Sequence, residues 1–284
     1  MKLAVLSDIH GNYVALEKCL EYCRKEGITT YLFLGDYLGD LAYPQKTMSI
    51  LYDWMERYEC YFIRGNKEEY WFRYNPRWKG YSSTTGCLYY NYHQLTGRDM
   101  EFFRTLPIAR PLRFPDCPPI TICHGSPVNV KQQMLPDLDA TYDVMEQDEN
   151  DYIFCGHTHR QGEIHSSSKY LWNPGSVGVS IDAGGKAQFM IAECYGKGWA
   201  PTFLSLDYDV KRVEEDLKEA GLDALAPAWT AVSIHMLYGG SHSHATVLSR
   251  SMELCKQEEG ECNWPDIPEK YWQKAITELG IAAV

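Results

Sequence analysis

Short apolar runs recur along the first two thirds of the chain, each stopped by a polar or glycine-bearing turn: Leu3 to Leu6, Tyr31 to Leu34, Tyr61 to Ile63, Ile120 to Cys123 and Tyr152 to Cys155. Runs of this length bounded by turn residues read as buried strands. Helical patterns fall between them. Tyr13 to Lys25 places Val14, Leu16, Leu20 and Cys23 partly in phase, and Gln45 to Tyr58 does so with Met48, Leu51, Tyr52 and Met55. Strand alternating with helix predicts an α/β sheet with helices packed outside. After about Asp207 the pattern changes: Val210 to Ala220 is a charged amphipathic helix, Ala231 to Gly240 is apolar and closes on Gly239-Gly240, and Trp272 to Leu279 is again helical. Two units are expected, 1–207 with the strands and a helical extension over 208–284.

The polar residues that stop the strands are the informative ones. Asp8 and His10 follow the first run, Gly35-Asp36 the second, Gly65-Asn66 the third, His124-Gly125 the fourth, and Gly156-His157-Thr158-His159 the fifth. Ligands of open α/β sheets bind outside the carboxyl ends of strands, so five loops are expected to converge on one cleft. The residue types suit cations: a carboxylate can touch two ions, neutral imidazoles favour transition metals, and an amide adds a ligand without charge. Oxygen and nitrogen donors without thiolate point to manganese, iron, zinc, cobalt or nickel. Glycines before Asp36, Asn66 and His157 are expected to let the backbone turn sharply there.

Composition narrows the alternatives. With 45% hydrophobic and 23% charged residues the chain is ordinarily globular, and no stretch approaches the roughly 20 apolar residues of a membrane span. The N-terminal apolar run is too short for a secretion signal, and the ten cysteines show no C-x-x-C pair or disulfide framework, so a reducing, cytoplasmic setting is expected. A net charge of −11 opposes a nucleic-acid partner. A small phosphorylated substrate remains open, because bound cations reverse the field inside a small cleft.

The ordered set Asp8-x-His10, Gly35-Asp36, Gly65-Asn66, His124 and Gly156-His157-x-His159 resembles the calcineurin-like metallophosphoesterases over roughly Met1 to Asp207. The resemblance implies an α/β (α+β) fold in which a two-sheet β-sandwich is flanked by helices in four αββα layers. It implies one metal held by Asp8, His10, Asp36 and His159, and a second by Asp36, Asn66, His124 and His157, with Asp36 bridging. Two such ions activate a water for in-line attack on a phosphate ester. Asn173-Pro174-Gly175-Ser176 resembles a structural turn of the bacterial members.

One motif departs from the family: Gly65-Asn66-Lys67-Glu68 carries lysine where many members have the histidine that protonates the leaving group. Lys67 then binds a substrate phosphate, another residue gives the proton, or the leaving group is acidic enough to need none. The same variation occurs in a phosphodiesterase-like bacterial branch, which implies a small diester or phosphoanhydride. Phosphomonoester or protein-phosphatase chemistry on the same site, a nuclease, and a non-enzymatic binding module are the rival readings. The extension, expected near the cleft, contains Gly239-Gly240-Ser241-His242-Ser243-His244, from which His242 or His244, with Glu68, is a candidate for a third metal or for the missing proton. The aromatic stretch around Tyr70, Trp71, Phe72, Tyr74, Trp78, Tyr89, Tyr90 and Tyr92 reads as core, or as a shelf on which a nucleobase would stack.

Overall fold

The computed structural model describes residues 1–79, 82–196 and 198–284. In chain order the first half contains β1 (Lys2–Leu6), α1 (Tyr13–Lys25), β2 (Thr30–Phe33), α2 (Pro44–Arg57), β3 (Glu59–Phe62), α3 (Asn66–Trp71), α4 (Ser83–Gln94), α5 (Gly97–Thr105), β4 (Ala109–Leu112) and β5 (Ile120–Cys123). It continues with α6 (Asp139–Gln147), β6 (Tyr152–Phe154), β7 (Gly162–Ser166), β8 (Lys169–Asn173), β9 (Ala187–Tyr195) and β10 (Gly198–Leu206). The helices α7 (Val210–Glu219), α8 (Leu222–Leu225), α9 (Pro227–Leu237), α10 (His244–Glu259) and α11 (Glu269–Glu278) complete the chain.

The strands form two mixed sheets of five, in the orders β10-β9-β1-β2-β3 and β4-β5-β6-β8-β7. In the first sheet β1, β2 and β3 run parallel, and β9 and β10 continue it with antiparallel pairings; in the second β5, β6 and β8 run parallel, and β4 and β7 flank them antiparallel. Strand alternation explains why both faces of the first sheet are apolar. Leu3, Val5, Leu32 and Leu34 pack between the sheets against Ile120, Ile122, Phe154 and Trp172, whereas Ala4, Leu6, Tyr31 and Phe33 pack against the helices. Cys123, Ile153, Cys155 and Leu171 form a further apolar layer with Met145 of α6. This is the expected helix-flanked sandwich.

The expected helix at Tyr13 to Lys25 matches α1, and the others match within a few residues. Ala231 to Gly240 begins earlier, at Pro227, because a proline at the first helical turn sacrifices no hydrogen bond. The polar stretch from His244 shows little apolar periodicity, yet it forms the 16-residue α10, started by Ser243 Oγ accepting from the Thr246 amide. Helices α7 to α11 bury a core of their own that also takes in Leu41, Ala42, Cys87 and Val179. All ten cysteines are free, and among the described residues no helix is long and apolar enough to cross a membrane.

Candidate metal centre

The strand-end loops meet at one place. Asp8 is fully buried, its Oδ2 accepting hydrogen bonds from Ser7 Oγ at 2.6 Å and the His157 amide at 3.0 Å. Its Oδ1 has no hydrogen-bond partner and instead lies 3.2 Å from His159 Nε2, 3.6 Å from His10 Nε2 and 3.9 Å from His124 Nε2. Asp36 directs Oδ1 toward His124 Nε2 at 3.5 Å and Oδ2 toward His10 Nε2 at 3.7 Å. Asn66 opens α3, and its Oδ1 stands 3.1 Å from His124 Nε2. Asp8, His10 and His159 form one cluster with metal-ligand spacing; Asp8, Asp36 and His124 form another.

The tautomers follow from the outward contacts of the rings. His124 Nδ1 donates to the Leu34 carbonyl at 2.7 Å, His159 Nδ1 to the Val179 carbonyl at 2.8 Å, and His157 Nε2 to the Lys131 carbonyl at 3.2 Å. His10 Nδ1 lies 2.6 Å from Asp40 Oδ2. A neutral imidazole that donates through one nitrogen keeps a lone pair on the other. Lone pairs therefore face each other across 3.1 Å at His10 Nε2 and His159 Nε2, and His124 Nε2 faces the Asn66 oxygen. Only a proton or a cation relieves such contacts. Burial would lower the His10 pKa, but Asp40 and Asp8 outweigh it and push it up to about 10. The donors thus fit a pair of cations, with Asp8, His10 and His159 on one side, His124, Asn66 and His157 on the other, and one oxygen of Asp36 toward each.

The backbone is strained where these side chains converge. Asp8, His10, Asp36, His157 and His159 all have left-handed φ values between 53° and 67°. Such conformations are uncommon outside glycine and cluster at functional sites. Gly35, with φ 90°, makes the expected sharp turn, whereas the other two neighbouring glycines serve differently: at Gly65 an added Cβ would lie 2.2 Å from Asp36 Oδ1, and at Gly156 it would lie 1.9 Å from Ser7 Oγ. They permit close approach. The Asn173 to Ser176 turn fastens two loops together, Asn173 Nδ2 donating to the Gly156 carbonyl and Ser176 Oγ to the Asp8 carbonyl, both at 2.7 Å.

Two expectations need correction. Glu68 does not face the cleft as a third-metal ligand: Oε2 accepts from the Asp36 and Gly65 amides at 3.0 and 2.7 Å, and Oε1 from the Tyr37 amide at 3.0 Å. Its carboxylate holds the Asp36 loop. His242 pairs with His235, ring centroids 6.0 Å apart, and does not line the cleft. His244 does, stacked on Trp229 with centroids 4.2 Å apart and its Nε2 2.9 Å from Ser233 Oγ. Burial pushes the His244 pKa down to about 3, so the ring is neutral and has no proton to donate at neutral pH. His93 and His165, which belong to no motif, contact the Tyr89 carbonyl and Glu163 away from the cleft.

Lys67 lies in the cleft, its Nζ 2.7 Å from Asp40 Oδ1. Burial alone would lower its pKa, but Asp40 and Asp36 outweigh this and hold the ammonium charged. Asp40 was not anticipated. It is buried, meets His10 with one oxygen and Lys67 with the other, and accepts from Trp229 Nε1 at 3.1 Å. Burial raises the Asp40 pKa, yet Lys67 and His10 more than reverse this and keep the carboxylate ionised. Its signal was the repeated Gly-Asp pair, Gly35-Asp36 then Gly39-Asp40. Trp229 had none, being 189 residues from Asp40 along the chain.

Residues 1–197 match the calcineurin-like phosphoesterase superfamily domain, and the chain belongs to that family of metal-dependent phosphoester hydrolases. It is 25% identical over 250 residues to the uncharacterized protein MJ0912 of Methanocaldococcus jannaschii, covering 80% of this chain and 94% of that one. Its fold is similar to that of the hypothetical protein PH1004 from Pyrococcus horikoshii, with a TM-score of 0.71 and 23% identity over 85% of this chain and 99% of the other. It is likewise similar to a metallophosphoesterase from Sphaerobacter thermophilus, with a TM-score of 0.66 and 22% identity over 82% and 100%.

Proposed function

We propose that the protein hydrolyses a small phosphodiester or phosphoanhydride, with two transition-metal ions held by Asp8, His10, Asp36, Asn66, His124, His157 and His159. The observation that carries this reading is the ring of imidazoles fastened outward, with lone pairs converging on Asp8 and Asp36. Bound there, the ions supply Lewis acidity that activates a water and neutralises charge on the phosphoryl oxygens. Asp36 has an oxygen toward each cluster, which suits a bridging ligand.

The lean away from simple monoesters rests on the proton inventory of the cleft. Lys67 is locked as an ammonium on Asp40, His244 is neutral, and burial raises the pKa of Tyr70. A leaving group that needs no acid suits such a site. Lys67 fits a fixed positive charge for a phosphoryl oxygen better than a proton donor.

The test is metal analysis of the purified chain, followed by hydrolysis of bis(p-nitrophenyl) phosphate and p-nitrophenyl phosphate with manganese, for wild type and Asp36→Asn. Two ions per chain, faster diester turnover and an inactive variant are expected. Fewer than one ion per chain, or equal turnover by Asp36→Asn, overturns the reading.

A further inference from the structure

The cleft beside the metal ligands is roofed by a part of the chain outside the family match. A cavity of about 230 Å³ is lined at one end by His10, Asp36, Asn66, His157 and His159, and elsewhere by Tyr70, Leu88, Trp229, Leu248 and Trp264. Three of these, Trp229, Leu248 and Trp264, come from the C-terminal helical region. The aromatic stretch near the third motif divides accordingly: Trp71 and Trp78 are buried in the core and Tyr74 stacks on Tyr92, while Tyr70 turns to the cavity.

The rings are organised in two pairs. Tyr70 and Trp264 lie with centroids 4.8 Å apart at 39°, and Trp229 and His244 are stacked at 4.2 Å and 20°. Apolar and aromatic surface next to a charged phosphate site needs a reason, because a phosphate alone gains nothing from it. A phosphoryl group on the metal ligands would leave its substituent in contact with these rings and with Leu88 and Leu248. Lys67, whose Nζ is 5.4 Å from the Trp229 ring, marks the boundary between the charged and the apolar part.

We infer that this lobe is a specificity pocket for a flat aromatic arm on the substrate, with Trp264 and Leu248 as specificity-determining residues. The inference rests on the phosphoesterase reading and names the class within it: a compact phosphate ester or anhydride bearing a planar ring, such as a nucleobase or an aryl group. A sugar arm would set its hydroxyls against ring faces and Leu88 and Leu248, which offer them few hydrogen-bond partners, and a phosphorylated protein loop would have to displace the helical roof.

The experiment is calorimetric titration of the full manganese-loaded chain with AMP, phenyl phosphate and ribose 5-phosphate, three probes sharing one phosphate. Stacking of one ring is worth a factor of about ten or more in affinity. AMP or phenyl phosphate is therefore expected to bind at least about tenfold more tightly than ribose 5-phosphate; which one leads separates a nucleobase from a plain aryl arm. Trp264→Ala should shrink that ratio about tenfold, and Leu248→Trp, which fills the lobe, should shrink it as well. Equal affinity for all three probes, or a ratio unmoved by both variants, overturns the inference. Failure of the phosphoesterase reading has a different signature, the absence of bound metal and of ester hydrolysis.

Discussion

Replacing Asp40 by Asn isolates what a single carboxylate does between the metal ligands and the C-terminal helices. Its three partners, His10 Nδ1 at 2.6 Å, Lys67 Nζ at 2.7 Å and Trp229 Nε1 at 3.1 Å, are all donors. An amide has one acceptor oxygen and a donating NH₂. With the oxygen toward His10, the NH₂ meets the Lys67 ammonium. With the oxygen toward Lys67, the NH₂ drives the His10 proton onto Nε2, the nitrogen that faces Asp8 and His159. Loss of an outer partner of a metal-binding histidine typically weakens the metal 10- to 100-fold, about 1.4 to 2.7 kcal/mol. A stranded buried charge costs about 3 to 5 kcal/mol; the Lys67 side chain keeps 13% exposure, so about 2 to 3 kcal/mol is expected here. Manganese titration by calorimetry measures the first, and urea unfolding with a chelator the second. Adding Lys67→Met should recover stability by about 1 kcal/mol or more without restoring metal affinity. Wild-type manganese affinity in folded Asp40→Asn would refute the reasoning.

Three further outcomes are expected. Glu68→Gln keeps one acceptor oxygen and turns an NH₂ toward either the Tyr37 amide or the Asp36 and Gly65 amides, and should cost about 1 to 3 kcal/mol in urea unfolding; a change below about 0.5 kcal/mol would show that the loop is held otherwise. Gly65→Ala places a Cβ 2.2 Å from Asp36 Oδ1, so the folded variant should retain less than half of the wild-type metal by elemental analysis, and full occupancy would contradict the close approach. Because Asp40 and Asp36 hold the Lys67 ammonium protonated and His244 is neutral, neither is an effective general acid, and turnover should fall about tenfold or more from a nitrophenyl to a phenyl diester. His244→Ala should leave that dependence unchanged, whereas a flat dependence in the wild type would reveal an acid.

The alternation of strand and helix and the ordered motifs were enough to indicate the sandwich, because burial on both faces forces continuous apolar runs and a strand must end where a polar side chain is wanted. The meeting of Asp8, His10, Asp36, Asn66, His124, His157 and His159 was legible for the same reason: they lie where runs end, and parallel strands bring those ends together. The roles of Glu68 and His242 were not legible. Whether a carboxylate faces a cleft or a neighbouring loop depends on which amides lie within 3 Å of it, and Glu68 finds those of Asp36 and Tyr37, more than 30 residues away. A single residue, Ser243, separates His242 from His244, and only the docking of α10 against α9 sends one ring to Trp229 and the other to His235. The Asp40 junction and the aromatic lobe likewise belong to tertiary structure, since their partners are contributed by helices whose own pattern concerns their burial and not what their polar edges touch.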